Sequence, residues 1–143
     1  MRYYITLEDG TLVPAESKGL LVRNEDITAV KTLTEEDSGK VFTLNAAEGV
    51  AITLPTLEKG LEYEFVVGAV FATTDFTIVS STNVIQGGAI VNSVFVPAAN
   101  ENTISFVATA EALGDKIKLT CDGTNWYAEG VGAGAGSITF TAP

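Results

Sequence analysis

Glu62 and Glu64 stand two apart in Leu61-Glu62-Tyr63-Glu64-Phe65-Val66-Val67, so on an extended strand both carboxylates share one face. A carboxylate pair is the machinery of glycoside hydrolysis, but working pairs sit about 5–10 Å apart across a cleft and usually come from different strands. Two exposed glutamates on the wet face of a sheet account for the pattern more simply. Glu35-Glu36-Asp37 is a run of three acids that could hold a cation, yet it follows Thr34 and precedes Ser38-Gly39. That is the form of a capping box with a glycine stop, where acids in the first turn are favoured anyway. Asp115, Asp122 and Asn125 offer oxygen ligands for Ca²⁺, but their spacing matches no EF-hand loop, and turn chemistry is the expectation. Gly87-Gly88 and the later glycines have no following Lys-Ser/Thr and no helix, which excludes a phosphate loop. Trp126 and Tyr127 are adjacent, so a strand points them to opposite faces: one is core, and the other is an exposed aromatic that could stack a sugar or touch a neighbour.

Missing residue types narrow the chemistry further. The sequence contains no histidine, which removes Ser-His-Asp and Cys-His catalysis and the commonest zinc ligand. Its one cysteine, Cys121, cannot form an intrachain disulfide and lies in phase with Ile117 and Leu119, as a small buried apolar residue would. No cofactor is implied. The formal net charge of −10 opposes phosphate backbones and anionic membranes, so neither nucleic acid nor membrane is an expected partner. The start of the chain turns acidic too early for a secretory signal, and no apolar run reaches the ~20 residues of a membrane helix, so synthesis and retention in a cytoplasm are expected.

The elements that carry these residues are short strands. Phe42 and Leu44 fall on one face of Val41–Leu44, and Val50, Ile52 and Leu54 on one face of the next run. The five residues between, Asn45-Ala46-Ala47-Glu48-Gly49, predict a hairpin. Leu61, Tyr63, Phe65 and Val67 form another inward face; Phe76–Val79, Thr103–Ala108 and Lys116–Cys121 follow. Gly87-Gly88 predicts a turn or sharp bend within the apolar stretch Asn83–Val96, and Asp122-Gly123 a hairpin returning through Trp126. Eight or so strands without long helices predict an all-β fold, an antiparallel β-sandwich of jelly-roll type.

Both ends differ from this body. Residues 1–30 form an expected N-terminal arm: five of the eight basic residues fall in the first 40 positions. Residues 31–130 are the body. Residues 131–143 are read as a glycine-rich linker and a last strand, Ser137-Ile138-Thr139-Phe140-Thr141, which can add to its own sheet or to a neighbour's; strand exchange in an oligomer is the expectation.

The segment Lys31–Pro55, KTLTEEDSGKVFTLNAAEGVAITLP, with YEFVVGAV, DFTIVSS, NVIQGG and DGTNWYAEG after it, resembles a module of bacteriophage virion proteins. It is similar both to capsid decoration (head-stabilising) proteins and to tail-fibre domains, over about Lys31 to Gly130. The absence of a long trimeric shaft favours the former. The resemblance implies a structural, non-enzymatic protein made in the host cytoplasm, bound to the outer capsid surface of the virion as a homotrimer, with the major capsid protein as partner. On that reading Tyr3, Tyr4, Ile5, Leu7, Leu12, Leu20, Leu21, Val22 and Arg23 of the arm make capsid contacts, and Ile138 and Phe140 of the last strand make subunit contacts. The alternative is a tail-fibre receptor- or glycan-binding module, which expects exposed aromatics around Tyr127 or Phe71.

Overall fold

The fold is taken from a computed structural model, which describes residues 23–143 and, before them, 4–6, 8, 10 and 12–14. The strands in chain order are β1 (Tyr4–Thr6), β2 (Leu12–Pro14), β3 (Asn24–Ile27), β4 (Lys31–Thr32), β5 (Val41–Leu44), β6 (Ala51–Thr53) and β7 (Glu62–Val67). They continue with β8 (Phe76–Val79), β9 (Ile85–Val91), β10 (Val94–Glu101), β11 (Thr103–Phe106), β12 (Lys116–Cys121), β13 (Trp126–Gly132) and β14 (Ile138–Thr141). A single 3-10 turn, Glu35–Asp37, sits between β4 and β5. Two sheets pack as a sandwich: seven strands in the order β10-β9-β13-β12-β7-β5-β3, and five in the order β14-β11-β8-β6-β4. β1 and β2 pair antiparallel with each other as a separate two-stranded sheet.

The all-β sandwich stands, but the sheets are mixed rather than antiparallel. β3, β5 and β7 run parallel in the larger sheet, and β4, β6 and β8 run parallel in the smaller. From β3 to β8 the chain therefore alternates between sheets and stacks three coils on one another. The hairpin expected between β5 and β6 does not form; its loop is an arch that carries the chain across the core. Inward periodicity is the same in both cases, because Phe42, Leu44 and Ile52 meet across the sandwich as readily as they would share one sheet face. Backbone bonds between successive arches fix the stack: Gly49 N–H donates to Thr74 O at 2.9 Å and Ala72 N–H to Ala47 O at 2.9 Å. Gly49 is buried against Thr74 and Asp75, and a Cβ there would overlap their backbone.

The second half closes the sheets with antiparallel pairs, except that β13 runs parallel to β9. β11 pairs β8, β12 pairs β7, and Asp122-Gly123 turns β12 into β13 as the sequence predicts. Gly87-Gly88 is no turn: both lie inside β9, and the reversal comes at Asn92 and Ser93, whose φ values of 49° and 66° suit a two-residue hairpin turn. The glycine-rich segment is likewise only partly a linker, since β13 runs through Glu129, Gly130, Val131 and Gly132, paired to β12 and β9. Small residues are needed there because a Cβ at Gly130 would meet Lys116 O and the Ile117 side chain. β14 pairs β11 of its own chain, and Ile138 is 1% exposed in that chain's core. The strand here adds to its own sheet, one of the two placements its sequence allows.

The core holds Phe42, Phe65, Phe71, Phe76, Phe106, Tyr63 and Trp126. Phe65 stacks on Phe42 with centroids 5.6 Å apart, and Tyr63 bridges towards Trp126 at 5.8 Å. Each such side chain contributes about 1.5–3 kcal/mol by burial. Cys121 is buried as predicted. β3 packs with the body: Ile27 is core, and Asn24 to Ile27 pair with β5.

Candidate functional site

Most of the sequence-level candidates for chemistry resolve into structure. Asp37 accepts the Thr34 N–H at 3.0 Å and the Lys40 ammonium at 2.9 Å, and Lys40 also reaches Glu25 at 2.9 Å, itself paired with Lys31 at 2.8 Å. Burial pushes the Asp37 carboxyl up, but the bonds from Lys40 and Thr34 and the nearby lysine charges outweigh it and hold it below its ordinary value. Glu25 is lowered by its bonds from Lys31 and Lys40. The capping box is real, and it ties β3 and β4 to the entrance of β5. Glu35 sits beside Glu58, and that carboxyl neighbour raises its pKa.

Asp115 and Asp122 lie at opposite ends of β12, a six-residue strand of roughly 20 Å. They do not converge with Asn125 on one ion. Asp115 is buried and accepts Ala112 N–H at 3.0 Å and Ala133 N–H at 2.9 Å. Asp122 accepts Thr124 and Asn125 N–H, both at 2.8 Å, in an Asx turn; these bonds and one from the Tyr127 hydroxyl depress its pKa. Among the described residues no group of three or more His, Cys, Asp or Glu is placed to hold a metal ion. No helix among them is long and apolar enough to cross a membrane.

What remains is the outer face of the seven-stranded sheet. Strand register arranges it in three rows. One runs Phe95–Ile90–Val131–Lys116–Val66; a second holds Pro97–Gly88 and Glu129–Lys118–Glu64; the third runs Ala99–Gln86–Tyr127–Thr120–Glu62. Glu62 and Glu64 do share a face, and it is this open one, opposite Thr120 and Lys118, where both line a small hollow of about 110 Å³ together with the cations Arg23, Lys40 and Lys118. Trp126 is buried and Tyr127 is 42% exposed, as their adjacency predicts. The Tyr127 hydroxyl donates to Asp122 at 2.8 Å, which fixes the ring on the surface and raises the phenol pKa.

A hollow of about 400 Å³ opens between the first two rows. Gly88, Ala89 and Gly130 lie in its lining, with Ile90, Phe95 and Val131 as apolar members and Glu64, Glu129, Lys116 and Lys118 as charged ones. Phe95 is 57% exposed and folds over Gly88, where an added Cβ would stand 2.7 Å from the ring. Sequence reading missed Phe95. The signal was present in phase: Ala98 faces in, so Phe95 and Pro97 must face out. Phe71, expected as an exposed aromatic by the glycan alternative, is 2% exposed and packs edge-on to Phe76.

Of the expected contact residues, Arg23 is exposed just ahead of β3, and Tyr4, Ile5 and Leu12 are placed by backbone pairing in β1 and β2. Tyr3, Leu7, Leu20, Leu21 and Val22 lie outside the described residues. Ile138 and the half-buried Phe140 pack on this chain's own core. Fold and site together define an all-β sandwich with a part-apolar, part-charged hollow on the outer face of its larger sheet. No family model matches the chain, and neither the curated proteins nor the solved structures contain a match to it.

Proposed function

We propose that the chain is a structural protein of a phage virion that binds the outer surface of the capsid as a decoration or cement protein, in the form of a homotrimer. The sequence resemblance over Lys31 to Gly130 supports this reading, and its motifs fall on cap, core and turn positions: Asp37, Leu44, Tyr63, Phe65 and Trp126. The geometric observation that carries it is the outer sheet face, where Phe95, Ile90 and Val131 are exposed beside two lysines and two glutamates. Such a mixed, preformed surface suits protein contact. The mechanism is mechanical: buried area ties neighbouring shell subunits together against internal pressure, and no catalytic step is assigned. The major capsid protein is the partner, and residues 1–22 with Arg23 are the proposed shell contact.

Co-sedimentation with capsids of the encoding phage tests the proposal. The full chain should bind saturably, and a chain starting at residue 23, which keeps β3 and so the body, should lose occupancy. Unchanged occupancy would overturn the role of the arm, and no binding by the full chain would overturn the proposal. A second reading, glycan binding, is favoured by one observation: the pinned, exposed ring of Tyr127 beside Gln86 and Thr120. It predicts sugar binding that is lost in Tyr127→Ala.

A further inference from the structure

We infer that copies of this chain meet each other through the outer face of the seven-stranded sheet, centred on the hollow beside Phe95. The inference goes beyond the proposed trimer: a face complementary to itself joins two copies about a two-fold axis, so it names a pairwise contact that a three-fold ring does not supply.

Apolar exposure concentrates there. Of the eight large hydrophobic side chains exposed among the described residues, Ile90, Phe95, Tyr127 and Val131 stand on this face. Scattered exposed apolar residues need no explanation, but a contiguous set marks a contact. Phe95 is a knob held in place over Gly88, and the hollow next to it has the volume to receive one.

Charge points to the occupant. The chain carries a net charge of −10, so two copies repel over most of their surfaces. The lining of the hollow is locally neutral, with Glu64 and Glu129 balanced by Lys116 and Lys118. These are two of the three lysines beyond residue 40. Alternating signs across neighbouring strands make the face complementary to itself, since Lys118 of one copy can meet Glu129 of another. The footprint is that of a weak, reversible contact: five strands about 4.8 Å apart and rows about 7 Å apart give roughly 400–500 Å² flat per copy, or about 800–1,000 Å² in total.

At β10, the sheet edge beside the hollow, Pro97 lacks an N–H and the pairing is bulged between Ala99 and Glu101, so a further strand is discouraged from adding there and the sheet face is left as the contact.

Sedimentation velocity over a wide concentration range, on the full chain and on variants, tests the inference. Wild type should self-associate. Phe95→Glu should weaken association about 30-fold or more, as loss of a central aromatic anchor does. Val70→Glu, at an exposed site away from this face, should leave it unchanged. Lys118→Glu and Glu129→Lys should each weaken self-association, and an equimolar mixture of the two should restore it. Circular dichroism establishes that each variant is folded.

A wild-type chain that stays monomeric overturns the inference. So does association untouched by Phe95→Glu, or a mixture that fails to restore it. If Phe95→Glu abolishes capsid binding but not self-association, the face belongs to the shell and the inference fails while the capsid reading stands. If copies associate through this face but bind no capsid, the reverse holds.

Discussion

Replacing Gly49 with alanine separates a hairpin from a stacked coil by the sign of its effect. Gly49 does not adopt a left-handed φ, so alanine is conformationally permitted. In an open hairpin loop that substitution stabilises by about 0.4–1 kcal/mol, because it restricts the unfolded chain. In the stacked arch the new Cβ overlaps the backbone of Thr74 and Asp75, which cannot rotate away as a side chain would. Overpacking costs about 1–3 kcal/mol. Forcing the arches apart weakens the bonds Gly49 N–H to Thr74 O and Ala72 N–H to Ala47 O, each worth about 0.5–1.5 kcal/mol. The expected loss is therefore about 2–5 kcal/mol, a large share of the 5–15 kcal/mol typical of a domain. Urea unfolding followed by the fluorescence of Trp126, the sole tryptophan, measures it. A midpoint that is unchanged or raised, at constant slope, would refute the stacking of the coils.

Three further outcomes follow from named contacts. Asp37→Asn should cost about 1–3 kcal/mol at neutral pH, since Lys40 and the Thr34 N–H lose a charged acceptor. Because the folded Asp37 pKa is depressed, that contribution is present above the unfolded carboxyl value and lost as pH falls through the folded one. Wild type and variant should converge in acid, which pH-dependent urea midpoints would show. Tyr63 donates its hydroxyl to Thr34 O at 2.7 Å, and burial, then the nearby Asp37 charge, pushes its pKa up to about 12. Tyr63→Phe should destabilise by about 1–2 kcal/mol. As the unfolded phenol ionises first, wild-type stability should fall as pH rises above about 10, and ultraviolet titration of Tyr63→Phe should lack the latest-titrating phenol of the wild type. Cys121 is buried, so a thiol reagent should label it only as fast as the protein opens.

Inward and outward phase was legible wherever alternation was clean: Tyr63, Phe65 and Val67 in β7, and Ile117, Leu119 and Cys121 in β12. Turns with local chemistry were legible too, as at Thr34–Asp37 and Asp122-Gly123, because their hydrogen bonds close within a few residues. Strand partnership was not. Whether β5 pairs β6 or β7 is decided by contacts about twenty residues apart, such as Thr43 beside Val66, which periodicity does not encode. Glycine misled for the same reason. Gly49, Gly87 and Gly130 permit close backbone approach from distant strands, and in sequence that need looks like a turn or a linker. The outer face was not legible as a unit because its residues come from β7, β9, β10, β12 and β13, and only their register gathers them.

The central claim is location on the outer surface of a phage head. Immunogold electron microscopy of purified virions from the encoding phage, with antibody raised against residues 24–143, tests it most directly. Gold distributed over the head is the predicted result. Gold confined to the tail, or absent from intact particles, would contradict it.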